Sequence, residues 1–281
     1  MTGDLRESLR KHIHEEQLKK LRAFDVVGDI AVVKLPKELL SNKHLIGEAL
    51  MKIHNNVRTV LNQISPVKGE FRTRELEVIA GEPKTETVYH ESGCRFKVDL
   101  AKTYFSPRLA TERMRVVGHV RPGDVVVNMF AGVGTYSVLI AKFSESAVIY
   151  SIDKNRSAFE YMQYNIRINK VGERVIAIYG DAREVLEKRL AEKADRVLMP
   201  LPKLSHEFFD VALTALKPSG GTVHFYDFGQ EPDIFGPAFD FTNTAAGQRG
   251  FSVKLLGKRK IRSYATRCYH VALDLEMKKI S

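Results

Sequence analysis

Between residues 124 and 275, short apolar runs of β type alternate with stretches whose apolar residues recur at helical spacing, and few folds accept that alternation. Strand candidates lie at 124–128, 148–152, 175–179, 196–199, 222–228, 252–259 and 268–275, with helical spacing at 133–141, 156–169, 184–192 and 206–216. Strand followed by helix followed by strand predicts an α/β fold whose seven strands form a largely parallel sheet. A basic connection of about eight residues separates the last two candidates, too short for a crossover helix. They are therefore predicted to pair as an antiparallel hairpin that closes the sheet.

The first hundred residues follow no such rhythm. A charged helical segment at 1–21, a strand-like run at 26–33, a helix at 44–60 and two strand-rich segments around Glu91-Ser92-Gly93-Cys94 predict a smaller, separate α+β domain. Ser106 followed by Pro107 is a helix-start signal, the serine offering a side-chain acceptor and the proline fitting the first turn. A helix over 108–120 is expected to link the modules, with domains at 1–103 and 104–281.

Composition narrows the classes. An apolar fraction of 44% and a charged fraction of 28% suit a soluble globular chain, and no apolar run approaches the length of a membrane span. The N-terminus lacks the apolar stretch of a secretory signal, so a cytoplasmic protein is expected. Cys94 and Cys268 are too few for a disulfide framework or a four-cysteine metal site. His12 and His14 are the one closely spaced histidine pair, and on a helix they diverge, so no metal is expected. The formal charge of +10 favours a polyanionic partner. From 251 to 281 there are eight Lys or Arg and two acids, with Lys258, Arg259, Lys260 and Arg262 gathered around the predicted turn. That cluster reads either as a phosphate-binding patch or as an ordinary solvated hairpin.

After strand 124–128 comes Met129-Phe130-Ala131-Gly132-Val133-Gly134, followed at once by a helix. Glycine in such a turn lets the backbone approach a ligand, and the helix start offers free amides to a carboxylate or phosphate. The next strand ends in Asp153, where an acid can accept both hydroxyls of a ribose. Asp181 follows the third strand and either receives an adenine amino group or caps the next helix, with Glu184 placed as in a capping box. A dinucleotide fingerprint needs glycine at 137, where this chain has Ser. Parallel strands ending in a hairpin resemble the class I methyltransferase sheet, so S-adenosylmethionine is the expected cofactor.

The run Phe71-Arg72-Thr73-Arg74-Glu75-Leu76-Glu77-Val78-Ile79-Ala80-Gly81-Glu82 resembles the archaeal and eukaryotic tRNA (guanine-N1)-methyltransferase family that modifies guanosine 37 beside the anticodon. Tyr104-Phe105-Ser106-Pro107-Arg108-Leu109 with Glu112-Arg113, the loop Met129 to Gly134, Leu201-Pro202-Lys203 with His206-Glu207-Phe208, His224-Phe225-Tyr226 and Ser263-Tyr264-Ala265 continue it in order. The resemblance implies that Glu112 is the general base, that Arg72 steadies the reacting guanine and that Asp153 holds the ribose. It further implies cofactor contacts at Tyr104, Arg113, Phe130, Ala131, Gly132, Asp181 and Pro200. The implied partner is tRNA, held through its anticodon stem-loop by a monomer whose N-terminal domain recognises RNA. These roles suit the chemistry: guanine N1 carries a proton and is a poor nucleophile, so a carboxylate must take the proton while a cation steadies charge on O6. Read without the resemblance, Glu112 would pair with Arg108 on an exposed helix face, Arg72 would be a solvated or carboxylate-paired surface group, and Tyr104 would belong to a core. Arg74 would share the face of Arg72 if the segment is a strand.

Two departures stand out. The family often has Asn before Leu-Pro where this chain has Pro200, which lacks both the amide side chain and a backbone N–H. The acid of the first motif is replaced by Asn128. Some members resembling the chain at Pro200 also act on a tricyclic wyosine-pathway base. Longer members carry an additional N-terminal domain that grips the tRNA elbow, which the segment before Val26 is too short to supply. The rival expectations are the aminocarboxypropyl transferase of wybutosine synthesis, against which the Leu-Pro-Lys segment speaks, and a catalytically idle RNA-binding relative.

Overall fold

A computed structural model describes residues 2–280. The chain divides into two compact units, Met1–Arg108 and Leu109–Ser281, the break falling within the turn that starts at Pro107.

The first unit contains α1 (Thr2–Leu9), α2 (Glu15–Leu18), β1 (Asp25–Val27), β2 (Ile30–Val33), α3 (Lys43–Ile53), β3 (Thr59–Gln63), β4 (Leu76–Gly81), β5 (Glu86–Glu91) and β6 (Cys94–Asp99). Strands β1 to β4 form a sheet in sequence order, with β2 and β3 parallel and the outer pairs antiparallel. Three expectations change here. The charged terminal segment is two short helices, and His14 sits at the start of the second, exposed like His12. The run at 26–33 is a hairpin turning at Gly28, whose φ of +58° and lack of space (a Cβ would lie 2.5 Å from the Val88 carbonyl oxygen) admit only glycine. The helix expected to reach 60 stops at Ile53, because Val60 and Leu61 are buried as part of β3. β5 and β6 pair through Ser92 and Gly93, both at positive φ, the twist that favours a two-residue hairpin turn.

The second unit contains α4 (Ala110–Val117), β7 (Val125–Asn128), α5 (Thr135–Phe143), β8 (Val148–Asp153), α6 (Arg156–Ile168), β9 (Val175–Tyr179), α7 (Ala182–Val185), β10 (Arg196–Met199), α8 (Ser205–Ala215), β11 (Gly221–Gln230), α9 (Gly236–Gln248), β12 (Phe251–Ala265) and β13 (Cys268–Lys279). The seven strands run in the order β12-β13-β11-β10-β7-β8-β9, with β7 to β11 parallel and β13 antiparallel to both its neighbours. This is the class I methyltransferase sheet expected from the strand pattern. α7, α8 and α9 cover one face and share a core with Val127, Ile152, Val197, Val223, Phe225 and Leu273. α5 and α6 pack on β8 and β9, and α4 stacks on α5. Burial on both faces explains why the inner parallel strands β7 and β10 read as apolar runs.

The hairpin connection contracts to Thr266 and Arg267, so Lys260 and Arg262, expected in the connection, lie within β12 together with Lys258 and Arg259. The helix at 184–192 starts earlier, at Ala182, and widens into a π turn over Leu186–Leu190. The linking helix is a 3-10 turn, Pro107–Leu109, followed by α4. α9 was not legible: it buries only Ala238, Thr242 and Ala246, residues too small to print an apolar stripe. Its start is set by Asp233, which accepts from the amides of Phe235 and Gly236 at 3.0 and 2.9 Å. Among the described residues no helix is long and apolar enough to cross a membrane.

Candidate active site

The loop after β7 is held by backbone hydrogen bonds to the neighbouring strands β8 and β10 and within itself. The Met129 amide donates to Leu198 O at 3.1 Å, that of Ala131 to Ile152 O at 2.8 Å, and that of Gly134 to Ala131 O at 2.9 Å. Gly132 and Gly134 adopt φ of +57° and +86°. At Gly134 a Cβ would lie 2.9 Å from Met162 Cγ, so this glycine serves the packing of α5 on α6 and not the approach of a ligand. Asp153, at the end of β8, accepts from the Gly132 amide at 2.6 Å and from the Asn155 amide at 2.9 Å, one on each oxygen. Burial raises its carboxyl pKa, and the two amides offset part of that rise. Each oxygen keeps one lone pair for a hydroxyl donor. Ser137, where a dinucleotide site has glycine, accepts from Asn128 Nδ2 at 3.1 Å and from Ser151 Oγ at 2.7 Å, tying β7, β8 and α5 together. Asn128 Oδ1 is buried without a partner among the described residues.

This set fits S-adenosylmethionine. The first-turn amides of α5 suit its carboxylate, Asp153 suits the ribose diol, and half-buried Phe130, braced edge-on by Phe208 at 5.3 Å, offers an apolar wall. Asp181 caps α7, accepting from the Arg183 amide at 2.9 Å, and meets Lys154 Nζ at 3.3 Å. The capping box does not form, since the Glu184 carboxylate turns to Lys188 at 3.3 Å. Pro200 follows β10 within a tight turn in which the Leu201 amide donates to Met199 O at 2.8 Å. Asp227, in the C-terminal half of β11, is engaged by His206 Nε2 at 2.7 Å.

Glu112 lies on the inner face of α4 with its side chain only 2% exposed, so the expected exposed pair with Arg108 does not exist. Arg108 instead reaches Asp25, at 2.6 Å. Arg115, one turn along α4, clasps Glu112 at both carboxylate oxygens, Nε to Oε2 at 2.9 Å and Nη2 to Oε1 at 2.8 Å. The Tyr226 hydroxyl donates to Oε1 at 2.7 Å and lies 3.3 Å from the Tyr136 hydroxyl. Burial foremost, with the Glu112 charge adding to it, pushes both tyrosines far above the ordinary phenol range. Arg115 continues to Asp274 on β13, which receives His224 Nδ1 at 2.5 Å; His224 Nε2 in turn accepts from Arg196 at 2.9 Å. Burial would raise the Asp274 pKa, but hydrogen bonds from His224 and Arg115 outweigh it and hold the carboxyl far below its usual range. Burial lowers His224, which keeps the imidazole neutral and consistent with one donor and one acceptor nitrogen. Strand alternation builds this chain: His224 and Tyr226 face α4 while Val223 and Phe225 face the opposite core.

In the first unit, Arg72 is not on a strand. It sits in a turn at φ +53°, its amide bonded to Gly69 O at 3.3 Å, and its guanidinium lies 4.1 Å over the Tyr104 ring. Its Nε is buried and unpartnered among the described residues. Two residues expected at the reaction are thus brought together, whereas Arg74 turns to Gln63 Oε1 at 3.2 Å, and burial lowers its pKa. Arg113 is buried at 2% exposure. Among the described residues His119, His224 and Asp274 bring ligand-type atoms within 4.8 Å, but the two buried members already bond Arg196 and Arg115. The partners of Glu112 were missed. The i to i+3 spacing of Glu112 and Arg115 was a visible signal; Asp274, far along the chain, left none.

Comparison with known proteins matches residues 87–254 to the TRM5/TYW2 methyltransferase domain and residues 5–85 to the TYW2 N-terminal domain. The chain belongs to the TRM5/TYW2 methyltransferase family. Trm5b of Pyrococcus abyssi, a tRNA (guanine(37)-N(1))-methyltransferase, is 45% identical over 255 residues, 91% of this chain and 74% of its own length. A structure of aTrm5 in complex with tRNALeu superposes with a TM-score of 0.85 at 37% identity, covering 100% of this chain and 79% of that one. TYW2 of P. horikoshii, solved in complex with MeSAdo, gives a TM-score of 0.82 at 32% identity and covers 99% and 100%.

Proposed function

We propose that this chain transfers a methyl group from S-adenosylmethionine to N1 of guanosine 37 in tRNA, gripping the anticodon stem-loop as a cytoplasmic monomer and recognising RNA partly through its first unit. S-adenosylmethionine supplies the electrophilic methyl group, with Tyr104, Arg113, Phe130, Ala131, Gly132, Asp181 and Pro200 as further residues around it. Asp153 orients the ribose through the lone pairs that the Gly132 and Asn155 amides leave over. Glu112 takes the N1 proton. The observation that carries this role is the state of its carboxylate: Oε1 accepts two hydrogen bonds, Oε2 only one, which leaves one lone pair on Oε2 directed by a clasped guanidinium. The N1 electron pair then attacks the methyl carbon as the carbon–sulfur bond breaks, an in-line displacement that needs orientation above all. Arg72, stacked on Tyr104, supplies the charge that steadies O6.

A second reading has support of its own. The match of residues 5–85 to the TYW2 N-terminal domain favours a wyosine-pathway role, either C7 methylation of the tricyclic base or aminocarboxypropyl transfer. A non-catalytic RNA-binding relative is the third. Mass spectrometry of nucleosides from tRNA incubated with the protein and S-adenosylmethionine separates them: 1-methylguanosine is expected, a methylated or aminocarboxypropylated tricyclic nucleoside selects the second reading, and unchanged RNA selects the third.

A further inference from the structure

The α4-facing side of the sheet carries a cavity of about 400 Å³, lined by Arg115, Arg121, Arg196, Lys258 and Arg259, with Asp274 as its acid. Two of these cations are committed: Arg115 to Glu112 and Asp274, Arg196 to Asp124 at 3.3 Å and to His224. They form a rigid, buried floor. Arg121 makes no side-chain ion pair among the described residues, and Arg259 reaches Glu112 only at 4.0 Å with half its side chain exposed. Lys258 stands over Phe235 at 5.2 Å. Space for an occupant comes from Gly257, the β12 partner of Asp274, where a Cβ would lie 3.2 Å from Asp274 Oδ2. The register break between Leu255 and Gly257 turns the next cations toward the cavity.

We propose that this cavity binds a backbone phosphate of the RNA substrate, a subsite separate from the cofactor loop; the inference rests on the proposed action on tRNA. With Arg115 and Arg196 balanced by Glu112, Asp274 and Asp124, the further cations Arg121, Lys258 and Arg259 leave the cavity a positive excess that favours an anion, and guanidinium groups bind phosphate oxygens in bidentate fashion. Position selects the source. Thr222 in the lining lies near the start of β11 and Asp227 toward its C-terminal end, five residues apart, about 16 Å at the rise of a strand. A polyanion spans from the cofactor end to the cavity, and a free phosphate does not. Arg115 and Arg259 contact both the cavity and Glu112, so an occupying phosphate competes with the carboxylate for them.

The test measures binding of a short anticodon stem-loop RNA against salt for the wild type, for Arg121→Ala/Lys258→Ala, and for Lys142→Ala/Lys188→Ala, which removes equal charge elsewhere on the same unit. The cavity variant is expected to flatten the dependence of log affinity on log salt by about 1.4 to 1.8, close to one unit per lost contact, while the control keeps the wild-type slope. Cofactor affinity should hold in both, and the melting temperature should change little, since the exposed Lys188–Glu184 pair and the Lys258 contact with Phe235 are each worth at most about 1 kcal/mol. Equal flattening in the two variants, or none in either, overturns the subsite while leaving the action on tRNA intact. Calorimetric titration with inorganic phosphate should show no tight binding; tight binding with an unchanged RNA slope makes the cavity a small-anion site and overturns the proposal. Absence of any RNA binding by the wild type defeats the functional reading itself.

Discussion

Replacing Glu112 by Gln asks whether its basicity or its bonding matters. The amide oxygen can keep the bonds from Tyr226 and from Arg115 Nη2, but the amide nitrogen then stands where Oε2 stood, 2.9 Å from Arg115 Nε, donor against donor. One charge-assisted hydrogen bond is lost, about 1.5 to 3 kcal/mol. Arg115 is not orphaned, because Asp274 still receives it. For a unit of this size that loss lowers the melting temperature by about 5 to 10 °C and leaves the protein folded at 25 °C. Single-turnover methylation is expected to slow by about 100-fold or more, roughly 2.7 kcal/mol of barrier, with binding of cofactor and tRNA retained. The paired variant Tyr226→Phe removes a bond at Oε1 and leaves the free lone pair of Oε2 alone, so its rate should fall by less than about tenfold while stability drops by about 1.5 to 3 kcal/mol. A Gln variant that methylates at the original rate refutes the base assignment. So does an equal slowing in both variants, since the loss would then follow the geometry of the hub and not the basicity of the carboxylate.

Asp153→Ala should weaken S-adenosylmethionine binding by about 1.5 to 3 kcal/mol in calorimetry, and unchanged affinity removes Asp153 from the site. Because burial raises the Asp153 pKa, cofactor affinity should fall as pH drops through that raised value, earlier than for an ordinary carboxylate. Arg72→Lys keeps the charge but loses the planar stack on Tyr104; slower methylation at unchanged cofactor affinity is expected, and a full rate would demote the arginine to a structural role. Asp274→Asn breaks the buried link to Arg115 and His224 and should cost about 3 to 5 kcal/mol in denaturant unfolding. The folded pKa of Asp274 is depressed, so its contribution is complete above the unfolded value and fades as pH falls through the folded one. The stability gap between wild type and Asp274→Asn should therefore narrow only in acid; a gap constant across pH would mean that its charge does not contribute.

What the chain states locally, it states well. The strand at 196–199 appears at its expected bounds because it is buried on both faces and Val197 to Met199 read as an unbroken apolar run, and the one at 175–179 because its residues are apolar and mostly β-branched even though Ile176 and Tyr179 face solvent at the sheet edge. Met129 to Gly134 and Asp153 were legible because strand, turn and helix follow one another without interruption, although the sheet's own hydrogen bonds to Leu198 and Ile152 hold the loop in place. Tertiary contacts decided the rest. Whether 59–63 is helix or strand depended on neighbours supplied by β2 and β4. Glu112 could have faced water beside Arg108 or been buried beside Tyr226, and its helix sequence permits both; the packing of α4 over β11 chose the second. Lys260 to Arg262 read as part of the connection because charge density marks solvent but not backbone shape, and β13 extended the edge strand through them. The clasp of Arg115 by Glu112 and Asp274 joins residues on α4 to one on the last strand, and only the closed sheet brings those charges within bonding distance.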